Sequence, residues 1–498
     1  MSVRTNIIGI SIITALVAVC AAPAAAQSAA AQSAPAQAGQ SAAEETKSGD
    51  QAQSSSQSDD ELFGEETVTE ASKEASEPSK GFIKYDQTKV GGSITATMDY
   101  TAVYMNSASA IDDPSYYYLS PVATGKVTLS AKPSTDFGVN MDFRMSYPYY
   151  SNYSYLTATY YPALQKLITT GSTLSVPDFQ VWALYSKFSV GDALFMSFGK
   201  QPVAWGVARG FFQPADNVFA ESAVDLDDYS AEREGPIAFK AMYTIPHTMT
   251  NFYLIAGLPS SAADNPKPED LRFAAKAEFN AGNTEFAFAG FYGYNDHARA
   301  LAMATTGIGS FNFFAEAIGK YGSERYFYSA DTGVWAQRDD QLYFSGTAGG
   351  YYSGLDGDLT ILAQYYYNGE GQEGASAQDI YSHYMLKNSE IDGLNLRTHY
   401  AGLSISRSEL FTSDFSVGLY AIADLSDLSG IVVPSATYAF TDYFKIKLQA
   451  AFNFGDAGSE YILMGPDFKY LSKSGASSFA GEPGVALSLF ATLGSGNF

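Results

Sequence analysis

Along residues 443–454, YFKIKLQAAFNF, apolar and polar side chains change places at almost every step. In a strand, successive side chains point to opposite faces. One face then carries Phe444, Ile446, Leu448, Ala450, Phe452 and Phe454, the other Tyr443, Lys445, Lys447, Gln449 and Asn453. On a helix the same residues would scatter round the axis. The pattern recurs in 137–145, where Phe137, Val139, Met141, Phe143 and Met145 oppose Asn140, Asp142 and Arg144. It recurs in 271–279, where Leu271, Phe273, Ala275, Ala277 and Phe279 oppose Arg272, Lys276 and Glu278. In 237–245 the apolar set Ile237, Phe239, Ala241, Tyr243 and Ile245 opposes Lys240. A chain written this way folds as long, two-faced strands. Its 36 Tyr, 33 Phe and 44 Gly suit strands and turns better than helices.

From residue 82 onward, about eighteen such segments are expected (sixteen to eighteen). They fall near 90–104, 121–132, 135–147, 177–190, 192–202, 235–245, 249–258, 270–280, 282–294, 297–306, 309–322, 340–353, 356–368, 396–408, 412–424, 429–440, 442–455 and 483–494. Tight turns such as KPST (132–135), VGD (190–192), AGN (281–283) and FTD (440–442) alternate with long connections. The long ones are 105–120, 148–176, 203–234, 323–339, 369–395 and 456–482; those near 295 and 426 are short where long ones are due. No motif repeats at a period of 20–50 residues, which argues against a propeller or solenoid.

The N-terminus supplies the context. Residues 1–26 read as a secretory signal peptide, with Arg4, an apolar run from Ile7 to Val19 and Ala24-Ala25-Ala26 before Gln27. The only cysteine, Cys20, lies inside it, and Val19 suits a lipoprotein cleavage site poorly. Residues 27–80 are an Ala/Ser/Gln-rich linker with eleven acidic and three basic residues, expected to be disordered because it has too little apolar surface to bury. The domain division is therefore 1–26, 27–80 and a strand domain at 81–498. No later run approaches the ~18 apolar residues of a transmembrane helix.

Together these features turn the strands inside out. In hydrocarbon every backbone N–H and C=O must be paired within the protein, and a closed barrel does this without edges. Strands of about 9–11 residues cross a bilayer when tilted. The expected fold is thus an all-β, transmembrane, antiparallel up-and-down barrel. Its apolar face looks outward to lipid and its polar face inward.

At this point the sequence resembles the transmembrane β-barrels of the bacterial outer membrane, over roughly 90–498. The resemblance rests on the strand pattern and on the terminal segment GVALSLFATLGSGNF, an alternating strand ending in the aromatic Phe498. It implies an outer-membrane location, long loops facing outward, and short turns and the acidic N-terminal segment facing the periplasm. It also implies recognition by the barrel assembly machinery and, as in many porins, the option of a homo-oligomer. Barrels of this size leave an aqueous channel, so a porin passing small solutes or ions is the expected function. Pore-lining candidates are Asp142, Arg144, Lys240, Lys276, Glu316, Lys320, Lys445 and Lys447.

The connection 203–234 is a candidate constriction loop, with Asp216, Glu221, Asp225, Asp227 and Asp228 facing lumen cations across the bore; the alternative is a solvated external loop. The Tyr-rich runs 149–161 and 364–368 read either as sugar-stacking tracks or as aromatic belts at the membrane interfaces. An enzyme is disfavoured: no G-x-S-x-G occurs, and His247, His297, His383 and His399 show no nucleophile–base spacing. No cofactor or metal is expected, since acidic pairs such as Asp112/Asp113 and Asp456/Glu460 match no calcium loop. A net charge of −24 disfavours nucleic acid. The second functional class is an adhesin or structural barrel acting through its long loops.

Overall fold

The computed structural model describes residues 88–105, 117–148, 178–222, 224, 232–294, 296–323, 325–329, 331–377, 380, 395–464 and 482–494. The expected signal peptide, the acidic linker, the Tyr-rich run 149–161, His383 and Phe498 lie outside these residues.

Eighteen strands form one antiparallel sheet. In chain order they begin with β1 (Thr88–Met105), β2 (Tyr117–Ser134), β3 (Phe137–Pro148), β4 (Asp178–Val190), β5 (Leu194–Lys200) and β6 (Ile237–Thr244). Next come β7 (Thr250–Leu258), β8 (Arg272–Ala281), β9 (Thr284–Gly293), β10 (Arg299–Ile308) and β11 (Phe311–Tyr321). A separate hairpin, β12 (Tyr326–Ser329) and β13 (Val334–Gln337), interrupts the series. The sheet resumes with β14 (Leu342–Gly354), β15 (Leu359–Tyr367), β16 (His399–Arg407), β17 (Phe415–Asp424), β18 (Ser429–Thr441), β19 (Phe444–Phe454) and β20 (Gly484–Gly494).

Each of these strands pairs with its neighbour along the chain, and β1 also pairs with β20, from Thr95 opposite Gly494 to Met105 opposite Gly484. The sheet is therefore closed and has no edge. No helix among the described residues is long and apolar enough to cross a membrane.

All eighteen expected segments are strands, with ends shifted by a few residues; 442–455, for example, is Phe444–Phe454. Two features were not expected. The connection 323–339 holds the β12–β13 hairpin, whose four-residue strands are too short to show a period. The connection 456–482 holds a short helix, Glu460–Met464. The tight turns gather at one end of the barrel. Gly191, Gly282 and Gly309 take φ of +60°, +67° and +61° there, a backbone that glycine adopts without steric cost.

The alternation resolves into an apolar outside and a polar inside. Leu448 is 56% exposed on the outer face, whereas Lys276 is 4% exposed on the inner one. Val90, Ile94, Met98, Phe198, Phe273, Phe288 and Phe313 are likewise exposed outward. At the short-turn end, aromatic rings pair round the rim: Phe311 with Tyr352 at 4.8 Å, Phe279 with Phe286 at 5.9 Å and Tyr438 with Phe440 at 4.8 Å. A closed barrel with an apolar outer wall and a ring of aromatic side chains is built to sit in lipid.

Candidate functional site: the barrel interior

The interior is organised by the chain between β5 and β6. At the end of β5, Gly199 has φ +132°, and a Cβ there would lie 2.2 Å from the Leu184 carbonyl oxygen. Only glycine permits this bend. Gln201 then fixes the exit: its Nε2 donates to the Ala238 carbonyl at 2.7 Å and its Oε1 accepts from Ser197 Oγ at 2.5 Å. An ion pair between Lys200 and Glu234, at 2.5 Å, closes the base of the loop.

Beyond it, Val203, Trp205, Ala208, Phe211, Phe212, Ala215, Val218 and Phe219 are all buried. Such a density of apolar side chains has no place in water, and inside the barrel it finds two partners. Val203, Trp205, Ala215, Val218 and Phe219 pack on the inner face of β6–β11, against Met242, Ile255, Phe291, Leu301 and Ile318 among others. Phe211 and Phe212 reach further, to Leu362, Tyr400, Ile422, Ile431 and Val433 on β15–β18. Phe212 stacks on Tyr366 at 5.0 Å and leans on Tyr400 at 5.8 Å.

Two wall side chains seat the loop backbone. Glu316 on β11 accepts three amides: Val207 and Ala208 on Oε1 at 2.6 and 2.7 Å, and Ala215 on Oε2 at 3.1 Å. Gln364 on β15 accepts from Phe211 and Phe212 at 3.0 and 3.2 Å and donates to the Phe212 carbonyl at 2.6 Å. Glycines make this approach feasible. A Cβ on Gly206 would come within 2.5 Å of Glu316 Oε1, and one on Gly210, at φ +96°, within 2.3 Å of Leu362 Cδ2. Asp216 braces the turn from within, accepting the Trp205 and Gly206 amides at 2.8 and 2.7 Å. Burial pushes its carboxyl above the usual range, against the pull of those amides and of Arg233 and Lys276.

The eight pore-lining candidates divide into two groups. Lys240, Lys276 and Glu316 face inward but are buried beneath the loop. Lys240 donates to the Pro202 carbonyl at 3.1 Å, and Lys276 donates to the Trp205 carbonyl at 3.2 Å while pairing with Glu278 at 2.8 Å. Lys320 is also buried and pairs with Glu370 at 3.0 Å, in the connection after β15. Burial would raise the Glu370 carboxyl, but Lys320, Arg325 and the Ser323 hydroxyl outweigh it and hold the group below the usual carboxylate range.

On the opposite wall, Asp142 is flanked by Lys126 at 3.3 Å and Arg144 at 3.2 Å, both partly exposed. The Arg144 guanidinium lies 3.6 Å over the ring of Trp182, the residue bulged out of the β3–β4 register. Lys445 is exposed, and Lys447 is half-buried 5.6 Å from the ring of Phe490. The loop thus packs on the inner face of β6–β11 and reaches β15–β18. The candidates that keep exposed surface stand on β2, β3 and β19: Lys126, Arg144, Lys445 and Lys447.

Of the five acidic residues expected at the constriction, two lie among the described residues. Asp216 is held by backbone amides, Glu221 accepts from the Ser260 amide at 2.6 Å, and Asp225, Asp227 and Asp228 lie outside the described residues. Tyr366 is covered by Phe212, so the run 364–368 offers no free stacking face there. Gln364, Gln201 and Phe211–Phe212 were missed in the sequence. The aromatic and glycine content of WGVARGFF was the signal that could have found the loop, since a solvated loop has no use for it.

No family model and no curated protein matches the sequence. Among solved structures, the chain is similar to the outer membrane protein opdK of Pseudomonas aeruginosa, at 11% identity over 82% of this chain and 99% of that one, with a TM-score of 0.44. It is similar to OccAB4 of Acinetobacter baumannii at 9% identity, 83% and 99% coverage and a TM-score of 0.46. A BenF-like porin from Pseudomonas fluorescens matches at 9% identity, 83% and 99% coverage and a TM-score of 0.44.

Proposed function

We propose that the protein is an outer-membrane channel for passive diffusion of small hydrophilic solutes, narrowed by the inward loop 201–222. One observation carries this reading: eighteen strands close into a barrel with an apolar exterior and an interior that is apolar where the loop packs and charged where it does not. A bore of that circumference is too wide for wall side chains to fill. The loop occupies part of it and leaves exposed cations on β2, β3 and β19. Solutes there would meet Lys126, Arg144, Lys445 and Lys447, with Asp142 between the first two. Lys240, Lys276 and Glu316 would act as supports of the constriction and stay out of contact with the solute.

Reconstitution in planar bilayers tests the reading. Discrete conductance steps under voltage are expected. Folded protein that never opens a step would overturn the channel and leave a barrel that acts through its external loops.

A further inference from the structure

A second segment folds into the barrel and is held by a polar cluster separate from the Glu316 and Gln364 seats of loop 201–222. Residues 456–464 leave β19 and turn back onto the inner wall of β16–β20. The Asn453 side chain donates to the Tyr461 carbonyl at 3.0 Å, and the Tyr461 amide donates to Ser429 Oγ at 3.2 Å. At the centre sits Glu460, 1% exposed. Its Oε2 accepts from the Tyr400 hydroxyl at 2.6 Å and the Leu396 amide at 3.2 Å, and its own amide donates to Asp427 Oδ2 at 2.9 Å.

The charges around Glu460 do not balance. The connection before β16 contributes Arg397, whose Nε lies 3.6 Å from Asp427 Oδ2, while its Nη1 donates to the Gln372 and Ala375 carbonyls. β17 contributes Asp424, fully buried, with Oδ1 on the Ser426 amide and its carboxyl group beside that of Asp427. The turn after it contributes Asp427. β16 contributes Tyr400, and the helix itself Tyr461. β18 and β19 offer only the neutral Ser429 and Asn453. Among the described residues, three carboxyl groups thus share one guanidinium, Glu460 and Asp424 fully buried and Asp427 15% exposed, and full ionisation of all three would be strongly disfavoured.

We propose that Glu460 is a proton-dependent latch: with a proton in the cluster the segment 456–464 is held on the inner wall, and with all three acids ionised it is released. The latch touches the constriction. Tyr400, which bonds Glu460, is also the ring on which Phe212 leans. Release therefore loosens the tip of loop 201–222 and enlarges the opening. This effect on conduction rests on the channel reading; the latch itself does not.

The sign follows from burial and the neighbouring acids, which raise the Glu460 carboxyl well above its ordinary value. A latched state that binds the proton more tightly than the released state is favoured at low pH. It loses that advantage as pH rises through the raised value. The shift is about tenfold per pH unit between the ordinary value of the released carboxyl and the raised value of the latched one, and it levels off above that.

The test measures hydrogen exchange at the Glu460 and Tyr461 amides in detergent, corrected for intrinsic rates, from pH 5 to pH 9. Bilayer conductance is recorded in parallel. In the wild type, protection should fall and conductance should rise with pH. Glu460→Gln, whose neutral amide oxygen still accepts from Tyr400 and Leu396, should stay protected and narrow throughout. Protection that is flat with pH in the wild type, or that falls equally in Glu460→Gln, would overturn the latch. Protection that falls in the wild type alone, with no conductance steps at any pH, would keep the latch and overturn the channel. Should Glu460→Gln fail to fold, Tyr400→Phe serves instead. It should lower protection at pH 5, and an unchanged value would overturn the latch.

Discussion

At the scale of single residues, the interior separates side chains that meet water from side chains that hold the loop. Lys447 belongs to the first group. A Lys447→Glu change should shift the reversal potential in a salt gradient toward cations and leave heat modifiability on a gel unchanged; an unmoved potential would remove Lys447 from the conduction path. Lys276→Met should alter selectivity far less, because its ammonium group is covered by Trp205. Glu316 belongs to the second group. Glu316→Ala strips three buried amides of their acceptor, each worth roughly 1–3 kcal/mol when left unsatisfied. The expected outcome is faster exchange at the Val207, Ala208 and Ala215 amides and a larger, noisier conductance, with the barrel still closed. The sequence placed Glu316, Lys240 and Lys276 on the correct face, because parity alone decides that. It could not tell them from Lys447, because what covers a face comes from elsewhere in the chain: Pro202 lies 38 positions from Lys240, Trp205 71 from Lys276 and Val207 109 from Glu316.

At the scale of elements, strands and loop were unequally readable for a physical reason. A strand side chain has two possible faces, so a run such as FKIKLQ declares both at once. The inward loop has no period. Its seat depends on Gly206, Gly210 and the aromatic pair Phe211–Phe212 meeting wall positions on β11, β15 and β16. Gly210→Val tests this directly. The left-handed backbone alone costs a side chain roughly 1–2 kcal/mol, and the new methyl groups would also collide with Leu362. Loss of the Phe211 and Phe212 amide protection is expected, with the β-sheet content by circular dichroism unchanged. Unaltered protection would mean that the loop tip is held by something other than the Gln364 seat.

At the scale of the whole molecule, the outer wall answers to lipid. Leu448, near the middle of β19, faces outward. Leu448→Arg should cost roughly 2–4 kcal/mol of folding free energy in bilayers, measured as a lowered denaturant midpoint for refolding into vesicles. A cost near zero would contradict the assignment of that face. The barrel also carries a dependence on time that its finished form hides. Loop 201–222 leaves the wall between β5 and β6, yet the Phe211 amide is held by Gln364, 153 residues later. Phe211 and Phe212 therefore have no seat until β15 to β18 stand in the wall. Filling the cylinder is conditional on strands encoded long after the loop itself.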